Sequence, residues 1–113
     1  MHELTIAMSI VDLAIKQARA ASADSVLEVE LDIGTLSGIE YTSLEFGLKA
    51  AVKDTMLEHT RFRINRIEPF AECPRCKHSF TPDGRFGRCP ECREIGTYLV
   101  RGGELRIKSL LIE

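Results

Sequence analysis

Apolar and polar positions follow a helical period in two stretches of the chain. Residues 4–20 repeat apolar side chains every three or four positions, which predicts an amphipathic helix. Its predicted buried face consists of Leu4, Ala7, Met8, Val11, Ile15 and Ala18. Residues 40–54 predict a second helix, with one apolar side made of Tyr41, Leu44, Leu48, Ala51 and Val52. Ser37 or Thr42 is its expected N-cap.

Two further stretches alternate with a period of two, which is typical of half-buried strands. In "LEVELDI" (27–33), Leu27, Val29, Leu31 and Ile33 face one way and the acidic residues face the other. In "RFRINRI" (61–67), the outer face is basic. We expect it to lie beside the acidic face of the first strand. Residues 105–112 return to strand-like chemistry and predict a third strand.

The intervening residues, 70–103, contain no long periodic segment and hold all four cysteines. We therefore predict an α+β fold with two helices packed on a small, about three-stranded mixed sheet and an inserted cysteine-rich module. The predicted domains are 1–69 with 104–113, and 70–103. Charge follows this division, because residues 1–69 have 7 basic and 11 acidic side chains whereas residues 70–103 have 6 and 4.

The sequence also indicates the cellular compartment of the protein. No apolar run approaches the 18 residues of a membrane span, so we expect no membrane insertion. Glu3 and Asp12 interrupt the opening stretch, which lacks the pattern of an export signal. We expect a cytoplasmic protein, in which paired cysteines are metal ligands or redox groups more often than disulfides.

The cysteines form the pattern C-x₂-C-x₁₂-C-x₂-C, made by Cys73, Cys76, Cys89 and Cys92. Two turns that each present two thiolates can surround one metal ion tetrahedrally, which indicates a closed, structural zinc site in a ribbon-like module. A rubredoxin-like iron site would use the same four ligands. The residue after the second cysteine of such turns is often glycine, whereas here it is Lys77 or Arg93, so less ideal turns are expected.

Charge and motif content argue against two other functions. The net +2 of residues 70–103 is cancelled by the formal −2 of a zinc tetrathiolate, which leaves no basic footprint for nucleic acid. No nucleophile–base set, glycine-rich phosphate loop or paired catalytic carboxylates are recognisable, so we predict that the chain is not an enzyme.

The amino end of the chain carries a second candidate metal site. The α-amine of Met1, the backbone nitrogen of His2 and the His2 imidazole can close two adjacent chelate rings in one plane. Planar nitrogen sets favour Ni(II) or Cu(II), and Glu3 could supply a fourth ligand. Without a metal, Glu3 would simply stabilise a helix start and His2 would be a solvated end. Spacing alone leaves both interpretations open.

The whole chain resembles the HypA/HybF family of nickel metallochaperones for hydrogenase maturation. The resemblance rests on "MHE", the first helix, the strand ending "IGTLSGIE", and the four cysteines before a short last strand. It implies a nickel-binding α/β domain carrying a zinc domain, with His2 as the principal nickel ligand. Met1 would supply the amine, Glu3 a further contact, and Glu40 an acidic group at the start of the second helix.

The same resemblance implies a set of partners. They are a nickel-inserting GTPase (HypB), the large-subunit precursor of a [NiFe] hydrogenase and, in some organisms, urease accessory proteins. The chain would act as a monomer or homodimer.

Overall fold

The computed structural model describes residues 2–82 and 87–113. Within these residues, two helices and six strands follow one another in the order α1 (His2–Ala20), β1 (Val26–Gly34), α2 (Tyr41–Ala51), β2 (Arg61–Ile67), β3 (Phe70–Glu72), β4 (Ser79–Phe80), β5 (Tyr98–Arg101) and β6 (Leu105–Ile112). These elements confirm the predicted α+β class with two helices and a small mixed sheet.

The first sheet has the strand order β2-β1-β6 and contains both strand directions. The Thr60 hydroxyl donates to the carbonyl of Val26, and the Asn65 amide donates to the Glu30 carboxylate, so β2 runs parallel to β1. β6 runs antiparallel, because Glu113 exchanges backbone hydrogen bonds with Ser25 at one end. A parallel pair cannot be joined by a tight turn, and α2 lies in the crossover between β1 and β2.

The buried face of α1 is rotated from the face predicted by its spacing. Met8 is 58% exposed and Leu4 is 37% exposed, so their predicted burial was wrong. The buried side chains are Ala7, Ile10, Val11, Ala14 and Ala18. Three of these five are alanines, so the face turned to the core is narrow and allows close approach of a neighbouring helix.

Gly47 of α2 meets α1 at this narrow face. A Cβ built on Gly47 would lie 3.2 Å from the Cβ of Ala7 and 3.4 Å from the carbonyl oxygen of Glu3. On either side of the contact, Leu44 and Leu48 are buried in the core. Glycine at position 47 therefore lets the two helices pack backbone against side chain.

The start of α2 differs from the prediction. Its N-cap is Glu40, whose carboxylate accepts hydrogen bonds from the backbone N–H groups of Thr42 and Ser43. The expectation of Ser37 or Thr42 as N-cap was wrong. Glutamate is an unusual N-cap, because Asn, Asp, Ser and Thr have the shorter side chains that normally reach these N–H groups.

The acidic and basic outer faces of β1 and β2 meet as predicted. Arg63 lies 3.5 Å from both Glu28 and Glu30, and Lys108 of β6 lies 3.7 Å from Glu30. The Asn65 amide lowers the pKa of Glu30, as do the Ser109 hydroxyl and the neighbouring Lys108 and Arg63 charges. Glu30 thus links the three strands of the first sheet on one face.

The burial of β1 departs from strict alternation at both ends, and Asp32, predicted on the exposed acidic face, is only 4% exposed. Leu27 is 45% exposed, whereas Val26 is only 4% exposed and takes a core position. The predicted burial of Leu27 was therefore wrong, while Val29, Leu31 and Ile33 are buried as predicted.

A second, antiparallel sheet forms within the cysteine-rich region, with the order β4-β3-β5. In β3, Ala71 pairs with Phe80 of β4 on one side and with Leu99 of β5 on the other. The Tyr98 hydroxyl donates to the carboxylate of Glu72, which ties β5 to β3 on one face. The sequence did not predict these strands, because each has only two to four residues.

The chain forms two compact units. Unit 1 comprises Met1–Leu31, Ile39–Asn65 and Arg106–Glu113, and unit 2 comprises Asp32–Gly38 and Arg66–Leu105. Unit 2 thus includes the loop after β1, where Leu36 donates its backbone N–H to the carbonyl of Gly102. The predicted boundaries 1–69 with 104–113 and 70–103 stay a prediction. None of the described helices is long and apolar enough to cross a membrane.

Candidate metal centres

Two turns of matching geometry present the four cysteines in unit 2. In the first turn, Lys77 donates its N–H to the carbonyl of Cys73 at 2.9 Å, and Cys73 donates to His78 at 3.0 Å. In the second, Arg93 donates to Cys89 at 2.9 Å, and Cys89 donates to Glu94 at 3.0 Å. The second turn lies 16 residues after the first and repeats its hydrogen bonds, because both turns are built on a C-P-x-C sequence.

The residue that closes each turn has a left-handed backbone. Lys77 and Arg93 both have φ of 65°. A side chain in this region is strained because its Cβ approaches a backbone carbonyl, which is why glycine is common at such positions. The expected departure from ideal turns is therefore visible as backbone strain at these two residues.

The four sulfur atoms of Cys73, Cys76, Cys89 and Cys92 lie within 4.8 Å of one another. Two of the sulfur pairs join the two turns, at 3.5 Å between Cys73 and Cys92 and 3.6 Å between Cys76 and Cys89. A zinc ion with Zn–S bonds of about 2.3 Å in a tetrahedron requires sulfur–sulfur edges of about 3.8 Å. The donor set and its spacing therefore fit one zinc ion, as predicted.

The thiols of the cluster differ in acidity. Burial acts to raise the pKa of Cys73, but the N–H groups of Cys76 and Arg75 outweigh it and lower that pKa to about 7. The N–H of His78 acts to lower the pKa of Cys76, yet desolvation and the neighbouring thiols raise it to about 12. One thiol ionises readily and its neighbours then resist, so four thiolates require a bound metal ion.

His78 lies near both turns but outside the cluster of four sulfur atoms. Its Nε2 is 4.0 Å from the carboxylate of Glu91 in the second turn, and its ring stacks on Phe80. The side chain therefore links the turns from outside the sulfur cluster.

The predicted second site lies at the amino end of α1. His2 is the first residue of the helix and is exposed, whereas Met1 lies outside the described residues. The first N–H groups of a helix have no partner within it, so the backbone nitrogen of His2 is not part of the helical hydrogen-bond ladder. Both His2 donor atoms, the backbone nitrogen and the imidazole, are accordingly at the surface end of the helix.

Glu3 and Glu40, which lie 37 residues apart in sequence, meet at the starts of the two helices. The backbone N–H of Glu40 donates to the Glu3 carboxylate at 3.2 Å. The backbone N–H of Glu3 and that of Glu40 lower the pKa of the Glu3 carboxyl. Hydrogen bonds from Ser43 and Thr42 lower the pKa of Glu40. Both carboxyls are therefore held in the charged form beside the amino end.

The comparisons with known proteins agree over the full chain. The family model for HypA, described as a hydrogenase/urease nickel incorporation metallochaperone, matches residues 1–112. The hydrogenase maturation factor HypA of Parabacteroides distasonis is 45% identical over all of this chain and 98% of its own length. The HypA of Chlorobium phaeobacteroides is 40% identical, with both chains fully covered.

Solved structures support the same fold. The solution structure of the Ni metallochaperone HypA from Helicobacter pylori is 21% identical and superposes with a TM-score of 0.73 over 97% of this chain and 96% of its own. A second solution structure of a HypA protein is 23% identical, with a TM-score of 0.76 over 100% and 97%. The family model and the relatives, with a four-cysteine cluster that fits zinc, show that this chain belongs to the HypA family of nickel-incorporation metallochaperones.

Proposed function

We propose that the protein binds Ni(II) at its amino end and delivers it for the maturation of [NiFe] hydrogenase, and of urease in organisms that make it. The family description of hydrogenase and urease nickel incorporation supports this proposal. The observation that carries the site is the contact between the Glu3 carboxylate and Glu40 beside the exposed His2, which brings the starts of both helices together at the proposed site.

In the proposed site, the Met1 amine, the His2 backbone nitrogen and the His2 imidazole hold the ion, and the Glu3 carboxylate adds an oxygen. Glu40 assists from the start of α2. Nitrogen donors suit Ni(II), and a site at a chain end leaves coordination positions open. Transfer is then an exchange of ligands, in which a donor of the acceptor protein binds the open position as the nitrogens leave.

The four-cysteine site has a different role in this proposal. A closed tetrahedral zinc site has no open position and contributes to folding rather than to transfer. The protein acts in the cytoplasm without catalysing a reaction of its own. Its proposed partners are the nickel-inserting GTPase HypB and the hydrogenase large-subunit precursor, with urease accessory proteins where urease is made.

A nickel titration tests the site directly. We expect His2→Ala to weaken Ni(II) binding about tenfold or more, equivalent to about 1.4 kcal/mol, in calorimetry of the zinc-loaded protein. His59→Ala is the matched control, because His59 is also exposed and lies beside Leu27 and Arg61, away from both helix starts. A single glycine added before Met1 displaces the α-amine and should weaken binding similarly. Unchanged affinity in His2→Ala contradicts the proposal.

X-ray absorption and metal analysis complete the test. We expect nitrogen and oxygen atoms around the bound nickel, and zinc in the four-sulfur site of the purified protein. Nickel surrounded by sulfur would move the transfer site to the cysteines and contradict the proposal. Iron in the four-sulfur site would instead support an electron carrier.

A further inference from the structure

We propose that Glu40 is a positioning residue for the amino-terminal metal site and acts through Glu3, not as a metal ligand. This inference rests on the proposed nickel site and specifies the role of Glu40 within it.

The Glu40 carboxylate is already occupied in the fold. One of its oxygens accepts the N–H of Thr42 at 3.3 Å, and the other accepts the N–H of Ser43 at 2.6 Å. Both oxygens thus cap α2. Turning this carboxylate toward a metal ion would weaken the hydrogen bonds that it makes to the first N–H groups of the helix.

The backbone of Glu40, by contrast, is directed at the neighbouring helix. Its N–H donates to Glu3 Oε2 at 3.2 Å. The cap fixes the backbone at the start of α2, where Glu40 has φ of −89° and ψ of 114° and the helix begins at Tyr41. The position of this N–H, and hence of the Glu3 carboxylate, therefore depends on the cap.

A fixed carboxylate is a better metal ligand than a mobile one. Ligating carboxylates are commonly held by hydrogen bonds from outside the ligand shell, and loss of such a partner weakens metal binding about 10–100-fold. The N–H of Glu40 supplies this outer contact.

Two substitutions separate positioning from ligation. Glu40→Ala removes the cap and the charge, whereas Glu40→Asn removes the charge but retains a side chain that caps helices well. In titrations with Ni(II) alone on the zinc-loaded protein, we expect Glu40→Ala to bind about tenfold more weakly and Glu40→Asn to bind within about twofold of the parent. If Glu40 were a ligand, Glu40→Asn would also bind nickel about tenfold more weakly because the charged oxygen is lost, and that result would overturn the inference.

A double-mutant cycle with Glu3→Gln separates positioning from general loss of helix structure. Since Glu40 acts through the Glu3 carboxylate, we expect Glu40→Ala to have little further effect on nickel affinity once Glu3 is Gln. An undiminished effect in that background would overturn the inference. Should Glu40→Ala unfold, Glu40→Asn decides alone, because its loss of affinity contradicts positioning. The proposed function fails separately, through His2→Ala.

Discussion

At the scale of single residues, the sulfur cluster and the start of α2 each depend on a few side chains. The two C-x₂-C pairs determine which atoms can surround a metal, and the fold brings those four sulfurs together. The N-cap was missed because glutamate rarely caps. The sequence signal for this cap was an acidic residue directly before "YTS". Its carboxylate accepts hydrogen bonds from the backbone N–H groups of the Thr and the Ser in that stretch. The contact between Glu3 and Glu40 depends on helix packing and could not be read from spacing.

The left-handed residue of the first cysteine turn can be tested by substitution. Asn tolerates this conformation better than other residues with a Cβ, and the strain is roughly 1–2 kcal/mol per residue. We expect Lys77→Asn to stabilise the zinc-loaded protein by up to about 1 kcal/mol, measured as a raised melting temperature. Arg75→Asn is the control, because it removes a charge from the same turn at a residue without positive φ. An equal gain in both variants would assign the effect to charge.

At the scale of elements, periodicity predicted both helices and the three strands of the first sheet. It failed at both ends of β1, for the buried face of α1 and for the second sheet. The last two failures have a clear physical cause. The predicted and observed faces of α1 share two alanines and Val11, but close packing against α2 turns Ile10 and Ala14 inward in place of Leu4 and Met8. The second sheet was missed because strands of two to four residues are too short to display a period.

The contact between the helices gives a prediction at this scale. Gly47→Leu places a large side chain where a single Cβ would already lie 3.2 Å from Ala7. We expect it to destabilise the protein by about 1–3 kcal/mol in denaturant unfolding, as overpacking usually does. Glu45→Leu, on an exposed position of the same helix, should change stability by less than about 0.5 kcal/mol. Similar losses in both variants would show that the contact is loose.

At the scale of the whole molecule, the sequence predicted the class of the fold and an insertion before the last strand. It did not predict that residues 32–38 belong to the same compact unit as the cysteine turns. That grouping arises from backbone hydrogen bonds of the loop after β1, such as the one from Leu36 to Gly102. No periodic pattern records such contacts.

Removal of zinc tests how far each unit depends on the metal. Both helices lie in unit 1, which has its own apolar core of side chains such as Val29, Leu31 and Leu44. We therefore expect chelation to preserve the helical circular dichroism signal while amide resonances of residues 70–101 lose their dispersion. Cys73→Ser in excess zinc should give the same result. Loss of the helical signal together with zinc would contradict it.

The parallel pairing of β1 with β2 has a consequence for synthesis on the ribosome. These two strands cannot pair as a local hairpin, since α2 lies between them in the chain. The other edge of β1 is covered by β6, which ends at Ile112. A nascent chain therefore carries β1 with an open edge until nearly all residues have emerged, and such edges are prone to pair with other chains.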